Sequence, residues 1–276
     1  MTPLPPDRCV DILGVRFPRW QAEEALAWLL SRLSQQEPTG VCFPDMSTLN
    51  LAARRPSFRA LLQRRVYTLN DGAGLAWAAR RQGRPFPDNL NGTDLCPRLL
   101  AAVPAGTRVY LLGGRPGVAE RAAGVLASRY PHLALVGHHH GYLGEAEEDA
   151  VVRELRRQRP QIVLVAMGNP LQVEFIDRHM GDPALRGTLW LAVGGLLDYY
   201  GGGLRRAPQW MRRARLEWLH LVLHQPHKAR RYLLGIPQFL LRCLWAGLRG
   251  THQAPPTPEA LGTALPGPGL ADKTKT

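Results

Sequence analysis

An aspartate held between an apolar run and a glycine turn is the residue in this chain best placed to do chemistry. Val66–Leu69 leads into Asn70-Asp71-Gly72-Ala73-Gly74. A carboxylate at a strand end can accept a proton from an attacking hydroxyl. The same position also suits an N-cap for a helix beginning near Leu75, because an Asp side chain satisfies the free amide N–H groups of a first turn. Three other apolar runs end in glycine turns: Gly113-Gly114-Arg115-Pro116-Gly117, Gly168-Asn169-Pro170 and Gly194-Gly195. Glycine at a helix start offers backbone N–H groups to a phosphate, and it also serves as a plain tight turn.

Metal chemistry has little to stand on. His138, His139 and His140 are consecutive, and side chains that alternate along a strand cannot all face one ion. No acid or thiol ligand lies beside them in sequence. The chain has no D-x-D, the usual clamp for a divalent ion on a sugar diphosphate. The expectation is therefore no metal and no cofactor. Phosphate would be gripped by backbone N–H groups and by the paired donors of Arg. Cys9, Cys42, Cys96 and Cys243 are far apart and form no C-x-x-C, which suits unpaired thiols in a reducing compartment.

These residues need elements to position them. The spacing predicts a strand or hairpin arm at Val10–Val15, a helix over Trp20–Leu33 and a buried strand at Gly40–Phe43. A polar turn at Asp45–Asn50 and a helix over Leu51–Arg65, interrupted by Pro56, come next. Later strands are expected at Arg108–Leu112, Leu133–Gly137, Gln161–Met167 and Thr188–Val193, with helices at Val118–Arg129 and Glu145–Arg159 between them. Short apolar strands alternating with helices predict an α/β fold, a Rossmann-like parallel sheet with helices on both faces. Such sheets bind ligands at the carboxyl ends of their strands, where Asp71, Gly113, Gly168 and Gly194 fall.

The 276 residues are 45% apolar and carry a formal charge of +13, which favours anionic partners. Most of that excess lies in 204–250, where ten Lys and Arg face the single acid Glu217. Trp210, Trp218, Leu219, Leu221, Leu223, Tyr232, Phe239, Leu240 and Trp245 are interleaved with them. Basic residues beside Trp and Leu suit an anionic membrane surface; the alternative is a docked helical appendage with a solvated basic face. The expected organisation is a core at 1–203, a basic Trp- and Leu-rich helical appendage at 204–250, and a disordered tail at 251–276 rich in Pro, Gly and Thr. Met1–Asp7 lacks the regions of a secretory signal, and no uncharged run reaches the roughly 18 residues that span a bilayer. The expected location is cytoplasmic, with peripheral contact at the inner face of the plasma membrane.

Taken in order, these segments resemble the WecG/TagA/CpsF family of glycosyltransferases, from about Val41 to Tyr232. Thr48-Leu49-Asn50 resembles the family's T-x-N. Asn70-Asp71-Gly72-Ala73-Gly74 with Trp77 resembles its D-G-x-G helix entry, and Gly92-Thr93-Asp94-Leu95 its G-T-D-L. Leu111 to Ala119 is similar to L-L-G-G-x-P-G-V-A, and Gly141-Tyr142 to G-Y. Gly168-Asn169-Pro170-Leu171-Gln172 resembles G-x-P-x-Q. Val193-Gly194 with Asp198 and Gly202 resembles V-G-x-x-x-D-x-x-x-G, and Arg206-Ala207-Pro208 and Leu216-Glu217-Trp218 follow. The chain departs from the family at Asn89 and Leu221, where Arg is usual, and at Val173 and Gln225, where Glu is usual. Arg84, Arg205 or Arg231 are the neighbours able to supply a missing cation.

The resemblance implies an inverting transferase with a Rossmann-like core, no metal and a C-terminal appendage that meets the membrane and completes the site. It implies a UDP-sugar donor of the N-acetylmannosamine type and a polyprenyl-diphosphate-linked sugar acceptor. Asp71 falls on the family's general base, and Thr48, Asn50 and Gln172 on its pocket. Gly92, Thr93, Asp94, Gly113, Gly114, Tyr142, Gly168, Asp198 and Arg206 complete the expected substrate-binding set. A homo-oligomer is compatible with this reading. Two other classes of function compete with it. A nucleotide-cofactor oxidoreductase needs G-x-G-x-x-G, and Trp77 stands where the third glycine belongs. A nucleic-acid binder would use the basic C-terminal segment and show salt-sensitive binding; the expectation is no nucleic-acid partner.

Overall fold

Ile162–Ala166 (β7) is apolar and buried at every position, as a strand covered on both faces must be. In the computed structural model, which describes residues 8–203, 211 and 226–248, it lies inside a six-stranded sheet. The other members are Thr39–Cys42 (β3), Tyr67–Thr68 (β4), Arg108–Gly113 (β5), Ala134–His139 (β6) and Leu189–Ala192 (β8). Their order is β4-β3-β8-β7-β5-β6, and every pairing is parallel. Register places Val41 beside Leu191, Leu191 beside Leu164, and Leu164 beside Leu111, so one apolar row crosses four strands.

Because successive side chains alternate across a strand, the sheet divides its apolar residues between two layers. Val109, Leu111, Leu164 and Leu191 pack with Ala22–Gln35 (α1), Gly92–Ala102 (α5), Val118–Arg129 (α6) and Leu196–Tyr200 (α9). Tyr110, Leu112, Val163 and Trp190 pack with Met46–Arg54 (α2), Pro56–Arg64 (α3), Glu145–Gln158 (α7) and Leu171–His179 (α8). Ala73–Arg81 (α4) joins the second layer through Leu75, Ala78 and Ala79. The Rossmann-like α/β expectation holds.

Three local readings needed the structure. Val10–Val15 belongs to a true hairpin, Cys9–Ile12 (β1) against Val15–Pro18 (β2), closed by Leu13 and Gly14 at φ 54° and 80°. Positive φ at both loop residues is the turn that matches strand twist. The expected polar turn at Asp45–Asn50 is instead the start of α2: Asp45 caps it, its carboxylate accepting from the Thr48 N–H. Pro56 does not interrupt one helix but opens a second, α3, where a missing N–H costs nothing.

Of the expected appendage, Pro226–Leu248 (α10) is described; 204–210 and 212–225 lie outside the described residues, as does the whole of 251–276. Phe239 is fully buried in the layer that holds α2. The described outward face of α10 is not basic. Leu233, Leu234, Leu241, Leu244, Trp245 and Leu248 are all exposed, and at 3.6 residues per turn they fall within an arc of about 120°. Among the described residues, no helix is long and apolar enough to cross a membrane.

Candidate active site

The strand order fixes where a ligand can enter. β5 connects outward through α6 to β6, whereas its neighbour β7 connects the other way through α8 to β8. Where connections leave in opposite directions, a crevice opens between the carboxyl ends of the strands. Gly113-Gly114 forms one lip of that crevice and Gly168 the other. Gly113 has φ 143°, and a Cβ there would lie 2.3 Å from the Ala166 carbonyl oxygen. Only glycine lets these two strand ends touch. The Gly114 N–H then donates to Ala166 O at 3.0 Å, and the Gly141 N–H to Gly114 O at 2.9 Å. Beside Gly168 and Gly194 there is open space.

On the other side of β8, the ends of β3 and β4 hold the carboxylates. The Asp71 N–H donates to Pro44 O at 3.2 Å, which ties the residue to the end of β3. The helix that follows is capped by Gly72, so Asp71 is not the N-cap that its position also allowed. Gly74 explains how close these elements stand. A Cβ on it would fall 2.0 Å from the Met46 sulfur, so the first turns of α4 and α2 meet without room for a side chain. Asp71 is half-buried and Asn70 beside it is fully buried. Burial pushes the Cys42 thiol far up, with the charges of Asp45 and Asp71 adding to the effect. Both carboxylates therefore act on the same strand end.

A line of part-buried hydrogen bonds joins these two sides. Asp45 Oδ1 accepts from the Thr48 hydroxyl at 2.7 Å, and Thr48 Oγ1 accepts from Asn169 Nδ2 at 3.0 Å. Asn169 Oδ1 accepts from Gln172 Nε2 at 3.0 Å, and Gln172 Oε1 accepts from the Gly194 N–H at 3.1 Å. The ribbon crosses the ends of β3, β7 and β8. Thr48 and Gln172 are both 3% exposed, so an unpaired member would carry a full desolvation penalty.

The other expected residues sort by position. Asn50 is buried and committed to α10: its Nδ2 donates to Gly235 O at 2.8 Å and its Oδ1 accepts from Arg242. It shares a cavity of about 220 Å³ with Thr48, Arg54 and Asn169. Thr93 and Asp94 fold back on Asn91, the N-cap of α5, whose side chain accepts from the Asp94 N–H at 2.8 Å and the Thr93 hydroxyl at 2.6 Å. Gly92 is buried at the same helix start, and the Leu90 N–H donates to Asn70 O at 3.0 Å, fastening this loop to the end of β4. Tyr142 is 65% exposed on the loop after β6. Asp198 sits in the first turn of α9, half-buried. Arg206 lies outside the described residues, with Arg205, Leu221, Gln225 and the Arg231 side chain.

Two departures have a structural account. Asn89 accepts from the Gly72 N–H at 2.8 Å, so an amide steadies the turn that carries Asp71. Val173 is wholly buried in the apolar layer, where a carboxylate would be costly. Arg84 donates to Cys9 O at 3.1 Å and thus faces the hairpin, not the strand ends. Sequence reasoning missed Asp45 and Asn169 as members of the site. An Asp three residues before Thr48 is an N-cap signal that was there to be read; nothing local marks Asn169. Among the described residues no group of three or more His, Cys, Asp or Glu is placed to hold a metal ion. The rings of His139 and His140 pack against each other at a 50° tilt, with centroids 4.3 Å apart.

Comparison with known proteins meets this geometry. The model of the Glycosyl transferase WecG/TagA/CpsF family matches residues 10–253. The N-acetylglucosaminyldiphosphoundecaprenol N-acetyl-beta-D-mannosaminyltransferases of Staphylococcus aureus strains MW2 and NCTC 8325 / PS 47 are each 28% identical over 236 residues. The alignment covers 84% of this chain and 91% of each relative.

Proposed function

The chain belongs to the WecG/TagA/CpsF family of glycosyl transferases, and from that premise we propose that it moves an N-acetylmannosamine-type or related hexose from a UDP-sugar to a polyprenyl-diphosphate-linked sugar in cell-surface polysaccharide synthesis. The relatives' names, which specify a diphosphoundecaprenol-linked acceptor, support the acceptor class. The donor class is supported by the crevice between β5 and β7, which is open beside Gly168, since sheets of this kind bind nucleotides at such a point.

The reaction is a direct displacement. The acceptor hydroxyl oxygen bonds to the anomeric carbon from the face opposite the diphosphate. The bond from that carbon to the diphosphate oxygen breaks, UDP departs with the electron pair, and the configuration inverts. Asp71 takes the hydroxyl proton. A base held within hydrogen-bond reach contributes about 10²–10⁴ in rate. Arg206 and the basic residues of 204–250 offset the charge that grows on the leaving diphosphate. Tyr142, Asp198 and the Gly92-Thr93-Asp94 helix start line the approach. The exposed apolar face of α10 keeps the enzyme peripheral at the inner face of the plasma membrane, where a lipid-linked acceptor resides.

One observation carries this reading: Asp71 is pinned to the end of β3 on the same sheet edge as the crevice and the Thr48–Asn169–Gln172 ribbon. The test is incubation with a panel of UDP-sugars and a short-chain lipid-diphosphate sugar, followed by mass analysis. The expected product is the acceptor plus one hexose-type residue. UDP release without added mass on any acceptor would reject the acceptor assignment.

A further inference from the structure

A cavity larger than the one beside Asn50 lies away from the strand ends. It is a groove of about 920 Å³ between the hairpin tip, the end of α2, the second half of α4 and the last two turns of α10. Its apolar lining includes Leu13, Trp77, Leu244, Trp245 and Leu248. Leu244, Trp245 and Leu248 are also part of the exposed apolar arc of α10, so the groove opens directly onto that face. Arg59 and Arg81 stand in its lining, as does the acid Asp11, whose Oδ1 accepts from the Gly14 N–H at 2.8 Å. Arg242, also in the lining, turns back to Asn50 and fixes the α10 wall.

The occupant that matches is long and apolar: the stems of Arg59 and Arg81 can cover an apolar chain while their charged ends stay in water. The groove is walled by α4, the helix that starts two residues after the candidate base. Trp77 lies four residues past Ala73, about 6 Å along the helix axis at 1.5 Å per residue, and Ala73 follows Asp71 by two. A ligand whose reacting end is at Asp71 and whose tail follows α4 would lie in this groove and leave it at the apolar arc of α10. Resting on the glycosyl-transfer reading above, we propose that the groove binds the isoprenoid chain of the acceptor. A chain that enters from the bilayer side of α10 is then held while its diphosphate end reaches the strand ends.

The test separates chain binding from both transfer and bilayer contact. Equilibrium binding of geranylgeranyl phosphate and dimethylallyl phosphate is measured on the full chain without vesicles, and the same preparation is assayed for vesicle binding and for sugar transfer. The longer chain is expected to bind at least about tenfold tighter, because it takes more apolar surface out of water than the short one. Ala53→Trp fills the groove from an exposed position, and Leu248→Ser removes an exposed wall residue; both should collapse the ratio of the two affinities toward one with an unchanged melting temperature. An unchanged ratio in both variants overturns the proposal. Lost vesicle binding with a retained ratio also overturns it, because the surface then serves the bilayer alone. A collapsed ratio in a protein that transfers no sugar would sink the enzymatic reading and leave the groove standing.

Discussion

The strand-end rim and the α10 groove solve different problems with different materials. At the rim, Thr48, Asn169 and Gln172 are tied to one another and to Gly194 by part-buried hydrogen bonds. At the groove, apolar side chains stand beside three arginines and the acid Asp11, and Leu248 is 86% exposed. The rim is held without a ligand because breaking its links would leave the buried Thr48 and Gln172 side chains short of partners. The groove gains its apolar burial only when something fills it. A rigid edge suits bond-making, where misplacement is costly. A soft apolar channel suits a greasy chain whose register along the wall does not matter. Asn50 and Arg242 couple the two, since the residue between the rim and α10 bonds to both Gly235 and Arg242.

The sharpest way to break this division is at Asp71. Asp71→Asn keeps the shape of the turn and removes the proton acceptor, so turnover should fall by about 10²–10⁴ while the melting temperature stays put. Steady-state kinetics beside a thermal melt decide it. Wild-type turnover would remove the rim's claim to the chemistry.

Phe239→Ala attacks the coupling. Loss of a fully buried Phe side chain costs about 3–5 kcal/mol, and here that cost should fall on the docking of α10. Hydrogen exchange is expected to show α10 amides losing protection while β5 and β7 keep theirs. Equal loss in the sheet would mean that α10 and the core form one cooperative unit, and the contrast drawn above would dissolve.

Gln172→Leu probes the rim itself. The Gly194 N–H and Asn169 Oδ1 would lose their partner, a loss of roughly 1–3 kcal/mol readable by urea denaturation. The long-chain preference of the groove should not move. A stability change near zero would show that the ribbon is replaceable by packing.

Much of the framework was legible along the chain. IVLVA at 162–166 has to be a strand buried on both faces, because no polar side chain interrupts it. Glycines at the ends of such runs marked the edge where ligands bind, and Asp71 fell among them. The polar turn assigned to Asp45–Asn50 went wrong because a short helix with a mixed sequence looks like a loop until its cap is seen to be satisfied. Gly92–Ala102 showed no element beyond its motif, since its cap forms within the loop that β4 anchors.

What the sequence determined alone is therefore the list of strands, the glycine turns between them and the types of side chain at their ends, because these depend on local periodicity and backbone freedom. Which ends stand side by side was decided by tertiary structure. Thr48 and Asn169 are 121 residues apart yet share a hydrogen bond of 3.0 Å, because β8 inserts between β3 and β7. The outward arc of α10 is visible only once Phe239 is buried, since a helix apolar on several sides carries no local mark of which side faces the core. Burial is a property of the whole assembly, and it chose which apolar residues to hide and which to leave for a partner.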